Sequence, residues 1–271
     1  MTGERPPLLE AVDVSVRYRV RGRRTGARRS LEALRDVSLA WQEGETLALV
    51  GESGSGKTTL GRVLLGLQAP SGGVVRFRGH DLGRSQQASL RREVQLIFQD
   101  PYQSLNPRST VGRQVMAGLD IHRIGEPGAE RIAIGLAALQ AAGLTPPESY
   151  WQRYPHQLSG GERQRVVIAG AMALGPSALV CDEPVSALDV SVRAQVLAVL
   201  AELRREQGLS LLFITHDVGL ARQMSDRIVV LYRGRIVEQG PTARVLADPQ
   251  HEYTMALLAA VPGNRLRAGE A

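Results

Sequence analysis

The chain has 271 residues, of which 43% are hydrophobic and 22% charged, and its formal net charge is +6. A chain of this length can bury a substantial core, which suggests one large domain or one domain with a subdomain. No stretch approaches the roughly 18 to 20 consecutive apolar residues that span a bilayer, and the first residues lack the apolar core of a signal peptide. We therefore expect a cytoplasmic protein, for which any membrane role requires partner subunits.

The start of the chain has the pattern of two paired strands. Apolar residues alternate loosely over residues 8–19 and again over residues 34–41, which predicts an antiparallel pair. Seven arginines lie on or between these segments: Arg17, Arg19, Arg21, Arg23, Arg24, Arg28 and Arg29. We expect a solvated loop here. Contact with nucleic acid or anionic lipid is the alternative, although the near absence of aromatic residues argues against base stacking.

The rest of the chain alternates between strand and helix patterns, which is typical of an α/β protein. Further strands are predicted at residues 46–50, 74–78, 94–98, 178–182, 211–215 and 228–232. Helices are predicted at residues 57–67, 111–119 and 129–142, the last two in a mostly helical insert that covers about residues 100–157. Arg233-Gly234 predicts a hairpin turn between the last of these strands and the segment around Ile236.

Residues 51–58 read GESGSGKT and match the phosphate-binding pattern GxxxxGK[ST], with a strand predicted before them and a helix after. The glycines let the backbone wrap closely around phosphate oxygens, and the helix start adds its positive dipole end. We expect Lys57 to reach the β- and γ-phosphates of a nucleoside triphosphate and the Thr58 hydroxyl to ligate Mg²⁺. The predicted nucleotide contacts are Gly51, Glu52, Ser53, Gly54, Ser55, Gly56, Lys57, Thr58 and Thr59.

Two acidic residues, Asp182 and Glu183, directly follow the apolar run of residues 178–181. Ligands of open α/β sheets bind at the carboxyl ends of strands, so both acids are placed for chemistry. Asp182 is expected to hold Mg²⁺, and Glu183 to be the base that orients the attacking water. The single cysteine, Cys181, excludes an intrachain disulfide and is expected to be a small buried strand residue.

Residues 158–165 read LSGGERQR, in which two adjacent glycines open a predicted helix. The amides of residues 159–161 and the helix dipole predict a second anion-binding site, which one triphosphate would not need from the same face. This set of motifs resembles the ATP-binding cassette (ABC) family, in which the signature contacts the γ-phosphate held by the opposite subunit. The signature contacts implied are Ser159, Gly160, Gly161 and Glu162.

The resemblance covers nearly the whole chain and implies further roles. Gln99 is similar to the family's Q-loop residue, which senses Mg²⁺ and the γ-phosphate and links the site to a membrane partner. Asp189 resembles the D-loop residue that acts across the dimer, and His216 the switch histidine that holds the γ-phosphate and the attacking water. Tyr18 is the candidate for stacking on adenine, with packing inside the strand pair as the alternative.

The implied fold is an ABC-type P-loop NTPase core with an antiparallel β subdomain and an inserted helical subdomain. The predicted ATPase domain covers residues 8–250, with the helical subdomain at about residues 100–170. A short extension of the oligopeptide-importer type is predicted at residues 251–271.

Three longer stretches resemble one group of cassettes, the ATPase subunits of dipeptide, oligopeptide and nickel importers. They are residues 99–108 (QDPYQSLNPR), 181–191 (CDEPVSALDVS) and 249–262 (PQHEYTMALLAAVP), the last with Glu252 where proline is usual. Many relatives continue into a longer C-terminal tail, which we do not expect here. The cysteine-ligated iron–sulfur cluster that some of those tails carry is not expected either, because the chain has one cysteine.

The resemblance implies an ATPase peripheral to the inner face of the cell membrane. Its implied partners are two transmembrane permeases, an extracellular solute-binding protein and a second ATPase, either a different subunit or another copy. Contacts with the permeases are expected around residues 99–108.

The alternatives are an exporter ATPase, a cassette serving phosphonate breakdown, or a soluble nucleic-acid-associated cassette. Nucleic-acid partners are not expected. Such proteins usually carry two cassettes or long coiled-coil inserts in one chain, and the sequence indicates neither. The substrate stays open, since specificity lies in the binding protein and permeases.

Overall fold

The structure is a computed structural model that describes residues 6–21 and 28–260, without the side chains of residues 19–21 and 28–29. It divides into two compact units. The first consists of Met1–Leu90 with Leu212–Ala271, and the second is Arg91–Leu211. The boundary at Leu211 falls inside a strand. Among the described residues, no helix combines the length and apolar character needed to cross a membrane.

Strands and helices alternate through most of the described chain, which confirms the predicted α/β class. The strands are β1 (Leu9–Arg21), β2 (Arg28–Trp41), β3 (Thr46–Val50), β4 (Gly72–Phe77), β5 (His80–Asp81), β6 (Val94–Ile97), β7 (Ala178–Asp182), β8 (Ser210–Thr215), β9 (Arg227–Tyr232) and β10 (Arg235–Pro241). The helices are α1 (Lys57–Leu64), α2 (Arg84–Glu93), α3 (Pro101–Ser104), α4 (Val111–His122), α5 (Ala129–Ala141), α6 (Glu148–Trp151), α7 (Gly160–Met172), α8 (Val190–Gln207), α9 (Val218–Met224), α10 (Thr242–Ala247) and α11 (Glu252–Ala259).

The first unit contains an antiparallel sheet in the order β2-β1-β4-β5. The β1–β2 pairing runs from Leu9 opposite Trp41 to Arg21 opposite Arg28. The expected arginine loop is therefore too long, because cross-strand pairs such as Arg17 and Glu32, 2.7 Å apart, continue the ladder. Residues 22–27, between the two strands in sequence, lie outside the described residues.

A second group of strands in this unit has the order β10-β9-β3, with β3 parallel to β9. All five residues of β3 are buried, as its apolar run predicts. The predicted hairpin is confirmed, since β9 and β10 pair antiparallel across Arg233 and Gly234. Val50 and Val230 share a buried cluster with residues of α9, α10 and α11, so these helices cover one face of the strands.

Helix α1 ends at Leu64, three residues before the predicted end. Gly66 has φ +64° and its N–H donates to the Val63 carbonyl, while the Leu67 N–H donates to the Arg62 carbonyl. These two hydrogen bonds form a Schellman motif, which ends the helix at a left-handed glycine. The predicted helix at residues 57–67 was therefore too long by its last turn.

The second unit combines the parallel pair β6 and β7 with helices α3 to α8. The predicted helical insert is confirmed as helical, and α4 continues to His122, beyond the predicted end. Trp151 packs so tightly between α4 and α5 that a Cβ on Gly112 or Gly135 would come within 2.4 or 2.7 Å of its ring. The exact domain limits at residues 8–250, 100–170 and 251–271 stay predictions.

Candidate functional site

The phosphate loop begins directly after β3 and is shaped by two glycines with unusual φ. Gly51 has φ +151°, and a Cβ there would lie 2.2 Å from the Leu231 carbonyl oxygen. Gly56, at the N-cap of α1, has φ +111°, and its Cβ would lie 2.6 Å from the Ala33 carbonyl oxygen. Only glycine fits both positions, so the loop is free to follow the path that a phosphate cradle needs.

Lys57 directs its charge toward the loop. Its side chain is 5% exposed, and Nζ donates to the carbonyl oxygens of Gly51 at 2.7 Å and Glu52 at 2.8 Å. Ser55 Oγ is also buried and finds no hydrogen-bond partner among the described residues. The loop thus presents an ammonium group and a hydroxyl donor near the start of α1, which is the chemistry that phosphate oxygens need.

Two hydrogen bonds connect this loop to residues that are distant in sequence, and the sequence does not predict either of them. The Glu52 N–H donates to the Tyr253 hydroxyl at 2.9 Å, and the Gly234 N–H donates to the Ser55 carbonyl at 2.9 Å. Tyr253 belongs to α11 and Gly234 to the β9–β10 turn. Neither position carries a local signal for phosphate binding, so their role is visible only in the folded chain.

In the second unit, Gln99 and Glu183 come together. The Gln99 Nε2 donates to Glu183 Oε2 and to Ser186 Oγ, both at 3.3 Å. Glu183 directly follows β7 and has φ +50°, a left-handed conformation that is uncommon for a residue with a side chain. Such outliers cluster at functional sites, and this one turns the chain sharply after the strand.

The other predicted residue of this segment, Asp189, is the N-cap of α8. Its carboxylate accepts the Val192 N–H at 2.9 Å and the Ser191 hydroxyl at 2.8 Å. These hydrogen bonds, the one from Val192 foremost, lower the pKa of Asp189 below its ordinary value. Asp189 is therefore a carboxylate at neutral pH, held at the start of a helix.

The signature segment forms the N-terminus of α7, as predicted. Ser159 and Glu162 make a capping box in which the Ser159 N–H donates to Glu162 Oε2 at 2.8 Å and the Glu162 N–H donates to Ser159 Oγ at 3.3 Å. Gly160 and Gly161 occupy the first two helical positions, whose amides have no carbonyl of a preceding turn to bind. A Cβ on Gly161 would lie 2.2 Å from Val192 Cγ1, so α7 packs closely on the start of α8.

The Glu162 carboxyl has a lowered pKa. Partial burial raises it, but hydrogen bonds from the Ser159 backbone and side chain and from Tyr150 outweigh that effect, and Arg165 adds to them. The Tyr150 hydroxyl donates to Glu162 Oε1 at 3.3 Å. The negative charge of Glu162 at neutral pH therefore stabilises the capping box at the first turn of α7.

Arg163 and Tyr102 form a contact that the sequence analysis did not predict. The Arg163 guanidinium lies 4.0 Å from the centroid of the Tyr102 ring, and its Nε donates to the Pro155 carbonyl at 2.6 Å. Tyr102 belongs to α3, three residues after Gln99. The cation–π contact therefore ties the segment after Gln99 to the first turn of α7.

His216 and Tyr18 lie in the first unit, as does the phosphate loop. His216 follows β8 directly and is exposed, and Asp217 caps α9 by accepting the N–H groups of Gly219 and Leu220. Tyr18 is 37% exposed, and its hydroxyl donates to Gln68 Oε1 at 2.7 Å. Both side chains are accessible, and their roles stay predictions.

Cys181 is fully buried in β7, as expected. Burial, with a smaller effect of Asp182, raises the pKa of its thiol to about 12.

The described residues contain no cluster of three or more His, Cys, Asp or Glu side chains suited to a metal ion. The side chains predicted to ligate metal, those of Thr58, Gln99 and Asp182, supply oxygen atoms, the ligands that Mg²⁺ prefers alongside water and phosphate.

Comparison with known proteins supports one family. A model of the ABC transporter family matches residues 34–186, which is more than half of the chain. The chain is similar in structure to a dimeric, post-hydrolysis form of the ATP-binding cassette MJ0796 bound to ADP and phosphate, with a TM-score of 0.75, 30% identity, and 86% of this chain and 98% of that chain covered. It is also similar to cbiO1 of Clostridium perfringens, with a TM-score of 0.75, 27% identity, and 90% and 92% of the two chains covered.

Two sequence relatives are similar over almost the whole chain. YkfD of Bacillus subtilis (strain 168), which carries the name of an oligopeptide transport ATP-binding protein, is 44% identical over 95% of this chain and 77% of its own length. GsiA of Salmonella paratyphi A, a glutathione import ATP-binding protein, is 46% identical over 96% of this chain, but the chain spans only 42% of GsiA. These matches confirm the ABC resemblance and the ABC-type fold. The chain therefore belongs to the ABC transporter family, as a cassette that binds and hydrolyses ATP.

Proposed function

We propose that this ATPase energises an importer of peptides or of nickel-type substrates. The observation that carries the proposal is the presence on one chain of two helix starts built for anions, at α1 and at α7. A Cβ on Gly56, the N-cap of α1, would lie 2.6 Å from the Ala33 carbonyl oxygen, and a Cβ on Gly161 would lie 2.2 Å from Val192 Cγ1, so each start requires its glycine. The names of YkfD, an oligopeptide transport protein, and GsiA, a glutathione import protein, support the peptide class.

In the proposed reaction, the phosphate loop binds the ATP phosphates. Lys57 exchanges its two carbonyl partners for phosphate oxygens, and the amides at the start of α1 bind the remaining charge. Glu183 orients the attacking water and takes up its proton, while His216 holds the γ-phosphate. Gln99, which contacts Glu183 at 3.3 Å, aligns that carboxylate.

Mg²⁺ is part of the proposal, with Thr58, Gln99 and Asp182 as the side chains that would hold it. Held there, Mg²⁺ would supply positive charge to offset that of the phosphate oxygens. The Gln99 Nε2 is engaged by Glu183 and Ser186, which leaves the amide oxygen as the end that suits a cation.

The second anion site implies a second subunit. We propose that the start of α7 contacts the γ-phosphate held by an opposing ATPase. The contacting residues would be Ser159, Gly160, Gly161 and Glu162. Asp189 would act across the same interface. The dimeric form of the similar cassette MJ0796 supports this arrangement. A different ATPase subunit is the proposed partner, with a second copy of this chain as the other possibility.

We propose the remaining assignments from the family resemblance of the sequence. The ATPase would lie on the cytoplasmic side, peripheral to the inner face of the membrane, with two permeases that contact residues 99–108 and an extracellular solute-binding protein. Tyr18 is proposed to stack on adenine, because its ring is accessible. Residues 8–250 would form the ATPase domain, with the helical part at about residues 100–170 and residues 251–271 as the importer-type extension.

Purification of a tagged Glu183→Gln chain from detergent-solubilised membranes of its own host, with ATP present, tests this proposal. The substitution keeps the phosphate loop and removes the base, so the closed complex should accumulate. Two polytopic permeases and a second ATPase are the expected companions, and a Lys57→Ala chain should recover fewer of them because it binds ATP poorly. A complex with exporter subunits, or with nucleic acid and no permease, would overturn it.

A further inference from the structure

Tyr253 connects the C-terminal helix α11 to the phosphate loop. Its hydroxyl accepts the Glu52 N–H at 2.9 Å. The residue is 8% exposed, and its ring stacks on that of Tyr232, with ring centroids 4.0 Å apart and an interplanar angle of 26°. The tyrosine thus lies buried beside the loop and touches it through one polar atom.

Hydrogen bonds anchor the start of helix α11, which carries this tyrosine. The Glu238 carboxylate of β10 accepts the N–H groups of Gln250 at 2.8 Å and His251 at 3.1 Å. His251 in turn caps α11 by accepting the Tyr253 N–H on Nδ1 at 3.1 Å. Tyr253 and Leu258 also belong to the buried cluster that contains Val50, the last residue of β3. The hydroxyl is therefore fixed relative to the strand from which the phosphate loop starts.

The two polar backbone groups of Glu52 have different partners. Its carbonyl accepts from Lys57 Nζ at 2.8 Å, and its N–H donates to Tyr253. A lysine that turns to a phosphate must give up its carbonyl partners, whereas the tyrosine contact does not involve the lysine. The Tyr253 contact is thus the one that can persist when nucleotide binds.

We propose that Tyr253 is a positioning residue for ATP, which keeps the first turn of the phosphate loop in its binding conformation. A loop that is held in place before binding loses less conformational freedom when the ligand arrives, and the affinity is correspondingly higher. Burial raises the pKa of the Tyr253 phenol, so the hydroxyl stays neutral in the physiological range and the contact does not depend on pH there. In this proposal, helix α11 contributes to nucleotide binding through Tyr253.

The inference rests on ATP binding at the loop and is independent of the transported substrate. The test compares full-length Tyr253→Phe, which deletes only the hydroxyl, with Tyr232→Phe, which deletes the hydroxyl of the other ring in the stack. Binding of a fluorescent ATP analogue and steady-state ATP hydrolysis are measured for both variants and for the unaltered chain. Thermal unfolding midpoints control for a general loss of stability.

Tyr253→Phe should raise the dissociation constant and the KM for ATP by about 3- to 10-fold, the range expected for one lost hydrogen bond. Its kcat should change less than about twofold, because saturating ATP restores the loop conformation. Tyr232→Phe should leave both constants within about twofold. An unchanged affinity for Tyr253→Phe, or an equal loss in both variants, would overturn the inference.

Hydrogen exchange without nucleotide gives a second readout. The Glu52 amide should be protected in the unaltered chain and in Tyr232→Phe, and should exchange about 3- to 10-fold faster in Tyr253→Phe, because one hydrogen bond has been removed. Equal exchange in all three chains contradicts the contact. This measurement does not require ATP hydrolysis, so failure of the inference and failure of the proposed function can be told apart.

Discussion

The Gln99 side chain donates from one amide nitrogen to both Glu183 Oε2 and Ser186 Oγ, at 3.3 Å each. The Ser186 hydroxyl in turn donates to the Glu183 carbonyl at 3.1 Å. The three residues form a closed set of hydrogen bonds, in which Gln99 contacts the carboxylate that we assign as the base and Ser186 contacts the backbone of the same residue. The geometry of that carboxylate therefore depends on a residue that lies 84 positions earlier in the chain.

Glu183→Gln should bind ATP with unchanged affinity and hydrolyse it about 10² to 10⁴ times more slowly, because an amide cannot accept the proton of the attacking water. Phosphate release and nucleotide binding measure the two effects separately. Glu202→Gln, an exposed acid on α8, is the matched control and should keep full activity. A variant at position 183 with near-normal turnover would remove Glu183 from the mechanism.

Gln99→Ala should lower kcat by about 10- to 100-fold, with little change in affinity for ATP, because a catalytic group that moves by about 1 Å loses rate on this scale. Ser186→Ala keeps the Gln99–Glu183 contact and should cause a smaller loss. Gln140→Ala, at an exposed position on α5, serves as the control. Equal rates in the Gln99 and Gln140 variants would show that the hydrogen-bonded set is not needed.

Gly161→Ala should impair hydrolysis while leaving ATP binding at the phosphate loop intact. Its Cβ would lie 2.2 Å from Val192 Cγ1, and such overpacking typically costs about 1 to 3 kcal/mol or moves the backbone. Gly170→Ala in the same helix meets only ordinary contacts at 3.9 Å and should be tolerated. The double variant Gly161→Ala with Val192→Ala should recover activity, and failure to do so would argue against the steric explanation.

Glu162 should make the stability of the chain depend on pH in the acid range. Its folded pKa is lowered from 4.5, so its contribution is fully present above that value and is lost as the pH falls through the folded pKa. The thermal midpoints of the unaltered chain and of Glu162→Gln should therefore differ at neutral pH and converge as the pH falls below the ordinary glutamate value of 4.5. A difference that stays constant as the pH falls would show that the charge of Glu162 does not matter to the cap.

Cys181 should not react with thiol reagents in the folded chain at pH 8. Burial raises the pKa of the thiol to about 12, so the reactive thiolate is scarce, and the side chain is fully inaccessible. After unfolding in denaturant, one thiol per chain should react, because the sequence contains one cysteine. Rapid labelling of the native chain would mean that β7 opens easily.

The sequence by itself determined the features that depend on local pattern. The run TLALV, which is apolar after Thr46, predicted the buried strand β3 to the residue, because a buried strand needs no alternating polar positions. Adjacent glycines after Ser159 predicted the start of α7, because capping chemistry acts within one turn. The phosphate loop was recognisable for the same reason, since its glycines and lysine are close in the chain.

Only the tertiary structure decided which distant residues support these motifs. Tyr253 reaches the Glu52 amide from 201 positions away, and Arg163 meets Tyr102 across the gap between two helices. No local pattern encodes such pairs, because they arise from how buried surfaces pack after the helices and strands have formed. The length of the β1–β2 hairpin was likewise set by cross-strand pairs such as Arg17 with Glu32, whose partners a single strand does not reveal.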